Sequence, residues 1–464
     1  MNENLQEVEE ENIAEQITEL YEAKKYAQIR DLFKEMNPFD IAELLNDLPI
    51  KMTPVLFRLL PKELAADTFV EMDSDVQSHL IGSFSDTELR DVMDEIYLDD
   101  AVDIVEEMPA NVVKRILSNT DANTRAMINK ILQYPEDSAG SMMTVEYVSL
   151  RKNMTVDDAM TRIRRTGIDK ETIYTCYVTE YNRTLIGVVS AKTLMLAESD
   201  EIIEDIMETN IISLHTHTDK EEVAQMFSKY NFFVMPVVDD ENRLVGIVTV
   251  DDAIDVMEEE ATEDIEKMAA IRPGDKPYFQ TSVWETYLHR IPWLMLLMIS
   301  ATFTSLIITR FEDFLAVFPP LMASVPMLMD TGGNCGGQSS VTIIRSLSLD
   351  DVEFKDMAKV IWKEFRVGII CGLSLAIVNF AKMMIFSLIG LPNIGDPLTM
   401  LVVSLALLCA VIVAKLVGCT LPMFAQKLGF DPAVMSSPFI TTIVDALSLL
   451  IYFALAVSIL HITV

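Results

Sequence analysis

The chain has 464 residues, half of them hydrophobic, with 71 acidic and 36 basic side chains and a formal net charge of −35. A mean hydropathy of +0.27 is high for a soluble protein and is expected where apolar spans are joined to polar domains. From Thr281 onward there are 12 acids and 10 bases, which leaves 59 and 26 for the first 280 residues; that soluble part repels nucleic acid, excluding it as a partner, and attracts cations.

The opening MNENLQEVEEEN has neither a basic n-region nor an apolar h-region, so no secretory signal is expected and the N-terminus is expected in the cytosol. Residues 13–132 show helical periodicity with few glycines, predicting a stack of short helices. Asp40–Pro49 (DIAELLNDLP) matches Asp100–Pro109 (DAVDIVEEMP) in its acidic, apolar and terminal proline positions, which predicts a helical superhelix.

A second repeat aligns Arg183–Leu194 (RTLIGVVSAKTL) with Asn242–Ala253 (NRLVGIVTVDDA), 59 residues later. Each copy reads strand, turn, strand, helix. Amphipathic helices are predicted upstream at Val156–Arg165 and Lys220–Tyr230, followed by β-rich segments at Thr172–Thr179 and Phe233–Val238. Residues 141–257 therefore resemble a tandem pair of CBS modules. That resemblance implies adenosine nucleotide binding, ATP included, at Gly246, Thr249 and Asp252 of the second copy; in the first, Thr193 stands in place of the Asp.

An acidic helix, Val256–Met268, then leads to a Pro273-Gly274 break and is expected to connect the modules mechanically to the membrane. Apolar runs at Ile291–Ile308, Leu315–Met329, Val367–Leu391, Leu398–Pro422 and Phe439–Leu460 predict five spans. Arg345, Lys355, Lys359, Lys363 and Arg366 cluster after the second run and Lys427 follows the fourth, so these loops are assigned to the cytosol and the C-terminus to the outside. Cys335, Cys371, Cys409 and Cys419 lie in or beside the spans and Cys176 stands alone, reading as packing thiols.

Two polar features are out of place in lipid. An ionised Asp445, within PFITTIVDALSLLIYF, costs about 2.5–3.5 kcal/mol by insertion scales. Pro438, Thr441, Asp445 and Ser448 share its helical face, which reads either as a wet path or as a structural site with Asp445 paired to Lys382 or Lys415. The segment DTGGNCGGQSS, Asp330–Ser340, reads either as irregular backbone lining a pore, where freed carbonyls and the Asn334 and Gln338 amides hold a hydrated cation, or as a loop outside the bilayer.

Together with the tandem modules and the acidic helical domain, DTGGNCGGQ and ITTIVDALSL resemble the bacterial MgtE magnesium channel family over essentially the whole chain. The implied fold is multidomain: a cytosolic α-superhelical domain (1–135), two α/β CBS modules (136–202 and 203–257), a connecting plug-like helix (258–282) and an all-α five-helix transmembrane domain (283–464). The resemblance implies a homodimer in the plasma membrane, its pore lined by the second and fifth spans. Asp445 is implied as the pore carboxylate, with Asn334, Gln338 and Thr441 lining, and Ser437 stands where some members carry Asn.

Mg²⁺ dehydrates reluctantly and usually keeps several waters while one or two carboxylates touch it, which suits a polar pore with few charges. No His or Cys joins Asp445 on its face, an argument against zinc or copper. The family pattern assigns regulatory Mg²⁺ to Asp99, Asp103, Asp219, Glu221, Asp252, Asp255, Glu260 and Glu263, with Asp431 facing the connector from the membrane side. Asp251, Asp252, Asp255, Glu258, Glu259, Glu260, Glu263 and Asp264 crowd a few helical turns. Each like-charge contact at 4 Å costs roughly 1 kcal/mol in bulk water and about 4 at an effective dielectric of 20. Either this is a solvated acidic face, or cytosolic Mg²⁺ binds it into a closed state and its loss opens the pore. The competing expectations are transport of another divalent ion, cobalt or manganese, and a membrane-anchored nucleotide sensor. No Ser-His-Asp set, phosphate loop or His-rich site points to an enzyme.

Overall fold

The computed structural model describes residues 3–274, 278, 281–312, 318–349, 351–390, 395–435 and 437–460. Its contacts divide the chain into two compact units, Met1–Met257 and Glu258–Val464, with the division falling inside the helix Val250–Met268.

The first unit opens with ten helices between Glu3 and Ile131, most of them eight to ten residues long. Local chemistry sets their starts. Asn37 and Asp121 accept hydrogen bonds from the first-turn amides that follow them, and Ser85 and Glu88 form a reciprocal capping box. Pro61 and Pro109 precede two more starts. The predicted repeat is borne out as two helices, Pro38–Asp47 and Leu98–Glu107. One buried apolar core runs from Ile17 and Phe33 through Phe69 and Val102 to Leu214, Phe227 and Val248, so the helical stack and the second module share an interior.

The modules repeat in space as in sequence. In the first, β1 (Ser149–Leu150) pairs in parallel with β2 (Thr175–Thr179), which pairs antiparallel with β3 (Leu185–Ser190). In the second, β4 (Leu214–His215), β5 (Val234–Val238) and β6 (Leu244–Thr249) repeat that order. Both antiparallel pairs shift register at equivalent places, Val178/Thr179 and Val237/Val238. The two copies meet through reciprocal bonds: the Leu185 amide donates to the Asn242 carbonyl at 3.0 Å, and the Leu244 amide to the Arg183 carbonyl at 3.0 Å. That exchange is the signature of a local two-fold axis. Amphipathic helices Val156–Thr166 and Lys220–Tyr230 flank the sheets as predicted.

The second unit contains helices Val283–Arg310, Pro319–Ser348, Met357–Leu388, Pro397–Lys427 and Ser437–Leu460. Four are long and apolar enough to cross a membrane, and Pro319–Ser348 is long enough but diluted by glycine and polar residues. Leu315 and Leu391, at the edges of two predicted runs, fall outside the described residues.

One expectation fails here. Asp330–Ser340 is neither irregular backbone nor a loop, because the helix Pro319–Ser348, hereafter the glycine helix, runs through it unbroken. Its carbonyls stay in the helix, and only side chains remain to meet an ion. The glycines serve packing. A Cβ on Gly332 would lie 2.8 Å from Ser448 Oγ, one on Gly333 2.6 Å from Thr441 Cγ2, and one on Gly337 2.6 Å from Ser437 Oγ. The glycine helix thus presses its backbone against Ser437–Leu460, the last helix, by the small-residue logic of membrane packing. Gly418 of Pro397–Lys427 abuts the Gly336 carbonyl in the same way.

Gly418→Ala is therefore expected to destabilise the detergent-solubilised protein by about 1–3 kcal/mol through overpacking. Gly82→Ala, whose Cβ enters open space in a soluble helix, is expected to be neutral or mildly stabilising. Thermal unfolding of both variants checks the contrast.

Candidate functional site

Within the first unit, the start of Leu98–Glu107 and the start of Val250–Met268 border one cavity of about 290 Å³. Among the described residues eight acidic side chains line it and no basic one does: Asp67, Glu71, Glu95, Asp99, Asp100, Glu171, Asp251 and Asp252. Asp99 is 6% exposed, and among the described residues its Oδ1 has no hydrogen-bond partner; Glu171 Oε2 is likewise buried and unmatched. Buried acceptors of this kind call for a cation, a proton or water.

The electrostatics follow from that crowding. Burial, reinforced by Asp252 and Glu71, pushes Asp100 up to about 7. Burial, then Asp100 and Asp252, pushes Glu171 up to about 8. Burial and the Asp252 charge hold Asp99 well above the usual carboxylate range. Asp252 is raised by burial despite hydrogen bonds from Thr249, whose hydroxyl donates to Oδ2 at 2.6 Å and whose amide donates at 3.3 Å. Among the described residues no three acidic, His or Cys side chains converge to chelate a bare ion. Charge spread around a cavity suits a divalent ion that keeps its waters.

The sequence-predicted residues separate into several places. Asp99, Thr249 and Asp252 come together at the cavity, Asp103 is exposed one turn beyond Asp99, and Asp255 acts electrostatically on Glu71. Gly246 instead packs against Met143, whose Sδ would lie 2.6 Å from an added Cβ. Asp219 caps its own helix by accepting from the Glu221 amide at 2.9 Å, and Glu221 accepts from Gln225 at 3.2 Å. In the first module Ser190 and Thr193 repeat the Thr249–Asp252 arrangement with hydroxyls 2.8 Å apart and no carboxylate. Asp100 and Glu171 were not singled out from the sequence. Asp100 adjoins a predicted residue, but only the tertiary fold brings Glu171 to it.

In the second unit Glu263 and Asp431 face one cation already, since Lys267 Nζ lies 2.5 Å from Glu263 and 2.7 Å from Asp431. Burial opposes the charge of Lys267, but these hydrogen bonds raise its pKa. Glu260 is half-buried on the same helix, and Asp264 accepts from Ser348 of the glycine helix at 3.0 Å.

The glycine helix exposes Pro326, Asp330, Asn334, Gln338, Thr342 and Arg345 at spacings of three to four, a polar stripe on one face. In the last helix Thr441 and Ser448 lie against Gly333 and Gly332, so part of the face expected to be wet is a packing face. Asp445 Oδ1 is buried without a hydrogen-bond partner among the described residues. The alternative pairing with a lysine does not occur: Lys415 lies 3.9 Å from Glu364, and Lys382 Nζ is 3.3 Å from Met327 Sδ.

A family model described as a divalent cation transporter matches residues 325–455, one for the MgtE intracellular N domain matches 36–137, and CBS domain models match 139–200 and 203–259. The chain is 37% identical over 451 residues to the magnesium transporter MgtE of Thermus thermophilus, covering 96% of this chain and 98% of that protein. The chain belongs to the MgtE family. The MgtE magnesium transporter of Bacillus subtilis is 34% identical over 441 residues, covering 94% and 95%. Among solved structures, the cytosolic domain of the Mg²⁺ channel MgtE in complex with ATP matches at 36% identity with a TM-score of 0.50, covering 52% of this chain and 99% of that one. The soluble part of a magnesium transporter matches at 31% identity with a TM-score of 0.51, covering 54% and 99%. The MgtE family is one of transporters, and the resemblance read from the sequence is borne out together with the fold class.

A carboxyl whose pKa is raised by folding holds a proton that the unfolded chain has lost, so its contribution falls as pH climbs from about 4 through the folded value. With folded values near 7 and 8 at Asp100 and Glu171, ion-free protein should lose protection in Leu98–Glu107 progressively between about pH 4 and 8. Hydrogen exchange of the full chain measures this. Glu171→Gln should flatten the loss and Mg²⁺ suppress it; protection, corrected for the intrinsic exchange rate, that does not change with pH would contradict the assignment.

Proposed function

We propose that the chain conducts Mg²⁺ into the cell past Asp445, and that cytosolic Mg²⁺ held at the acidic cavity closes it. The observation carrying the conduction reading is the Asp445 carboxyl oxygen, buried and unmatched in an apolar helix. A passive anchor gains nothing from such a group, whereas a hydrated cation supplies what it lacks. The exposed stripe of Asn334 and Gln338 supports a path on the same side, because amides facing lipid are costly. A potential of 100 mV, negative inside, contributes about 4.6 kcal/mol per divalent ion, so inward conduction needs no further coupling.

The polar stripe also supports a homodimer in which a second copy covers it around a shared pore. Equivalent positions of the modules agree: Ile173, Tyr174 and Met195 in the first copy and Phe232, Phe233 and Ile254 in the second all expose large apolar side chains. The protein is assigned to the plasma membrane with the soluble unit cytoplasmic and the C-terminus outside, on the basic loops after the second and fourth spans.

For closure, the eight cavity carboxylates repel one another when empty and are bridged when Mg²⁺ enters, so the ion favours the compact state. Asp99 and Asp252 belong to this group, and Asp103 and Asp255 are proposed as further ligands outside the cavity lining. Asp219, Glu221, Glu260, Glu263 and Asp431 are proposed as further ligands, the last pair only on displacing Lys267. ATP is proposed as a modulator at Thr249 and Asp252, supported by the ATP complex of the related cytosolic domain.

Asp445→Asn keeps the side-chain volume and removes the charge. Mg²⁺ uptake into proteoliposomes holding a Mg²⁺-sensitive dye should fall at least tenfold, and full uptake would sink the pore assignment. Parallel assays with cobalt and manganese decide between the ions. Asp100→Asn should raise several-fold the internal Mg²⁺ needed to halve the flux; an unchanged inhibition curve would exclude the cavity as the sensor.

A further inference from the structure

Three side chains from three membrane helices form a buried cluster outside the proposed ion path. The Ser339 hydroxyl of the glycine helix donates to Glu364 Oε2 at 2.7 Å, and Lys415 Nζ donates to Ser339 Oγ at 3.2 Å. Lys415 and Glu364 lie 3.9 Å apart, with side-chain exposures of 6% and 12%, and Ser339 is 2% exposed. Glu364 belongs to Met357–Leu388 and Lys415 to Pro397–Lys427.

We propose that Lys415, Glu364 and Ser339 are positioning residues for ion conduction, a polar lock that fixes the rotation of the glycine helix and so aims Asn334 and Gln338 at the ion. This rests on the conduction reading above.

The glycine helix needs such a lock because of how it packs. Gly332, Gly333, Gly336 and Gly337 give the last helix a surface without side chains, which permits close approach but offers few knobs to resist rotation. Successive helical residues are about 100° apart, so a slip of one position exchanges buried Ser339 for exposed Gln338. A charge-assisted bond from Ser339 to Glu364, itself held by Lys415, resists that slip, since both charged groups would lose their hydrogen bond to Ser339 in a medium that cannot hydrate them. Fixing register is the best-attested use of a buried polar group. The Ser340 hydroxyl donates to the Met435 carbonyl at 3.3 Å, a second tie one residue along.

The test is Mg²⁺ flux in proteoliposomes per folded protein, with the half-saturating Mg²⁺ concentration as the positioning readout. Lys415→Met and Glu364→Gln should each lower flux at least tenfold and shift half-saturation. The exchange Glu364→Lys with Lys415→Glu should recover flux to within threefold of wild type. Because a charge left alone can prevent folding, Ser339→Ala supplies a mild variant, expected to shift half-saturation by threefold or more. Unchanged flux and half-saturation in Ser339→Ala, or in a folded Lys415→Met/Glu364→Leu double variant, would overturn the proposal by reducing the cluster to packing. Wild-type protein that carries no Mg²⁺ would instead defeat the conduction reading.

Discussion

An ionised side chain at membrane depth costs about 2.5–3.5 kcal/mol by insertion scales unless its charge is met, and the second unit treats its buried carboxylates in opposite ways. Glu364 has Lys415 and the Ser339 hydroxyl within reach. Asp445 has a buried oxygen with no hydrogen-bond partner among the described residues. The first arrangement is complete and resists change; the second is incomplete, and on the proposed function its counterion comes from outside. A helix that both packs and conducts needs both kinds, one to hold its rotation and one to receive the ion. The glycine helix stands between them, with its backbone against the last helix and its polar stripe on the free face.

The soluble unit applies the same electrostatics to a different end. Its cavity gathers eight acids without a base, and burial leaves Asp100 and Glu171 with proton affinities near neutral pH. A group poised there exchanges a proton for a metal ion at little cost, because neither form is strongly preferred beforehand. Since one apolar core joins the helical stack to the second module, occupancy of the cavity bears on the packing of both.

Much of this was legible in the sequence where the signal is local and repeated. The 59-residue offset between Leu185 and Leu244 reappears as two sheets of the same order, down to their matching register shifts. Asp445 stood out because a carboxylate in an apolar run has no bland local explanation. The glycine segment misled for a physical reason: glycine disfavours a helix in water, yet between membrane helices it permits backbone contact, and the partners that make this worthwhile, Thr441 and Ser448, lie about a hundred residues away. Glu171 was invisible because nothing near it in sequence hints at Asp100. Lys415 was considered, with Lys382, as a partner for Asp445, but it lies beside Glu364 instead.

Lys267 changes how the acidic connector is understood. Counted along the sequence, Glu263 and Asp431 are two more carboxylates awaiting a cation, but the ammonium of Lys267 already lies between them at 2.5 and 2.7 Å. A tethered cation has a high effective concentration, so a free ion must displace it as well as shed part of its own hydration. The tie from the connecting helix to the loop before the last helix can therefore persist when Mg²⁺ is scarce. Under the proposed closure, sensitivity to the free ion then resides mainly in the first unit, where Asp99, Asp100 and Asp252 have no tethered base among the described cavity-lining residues.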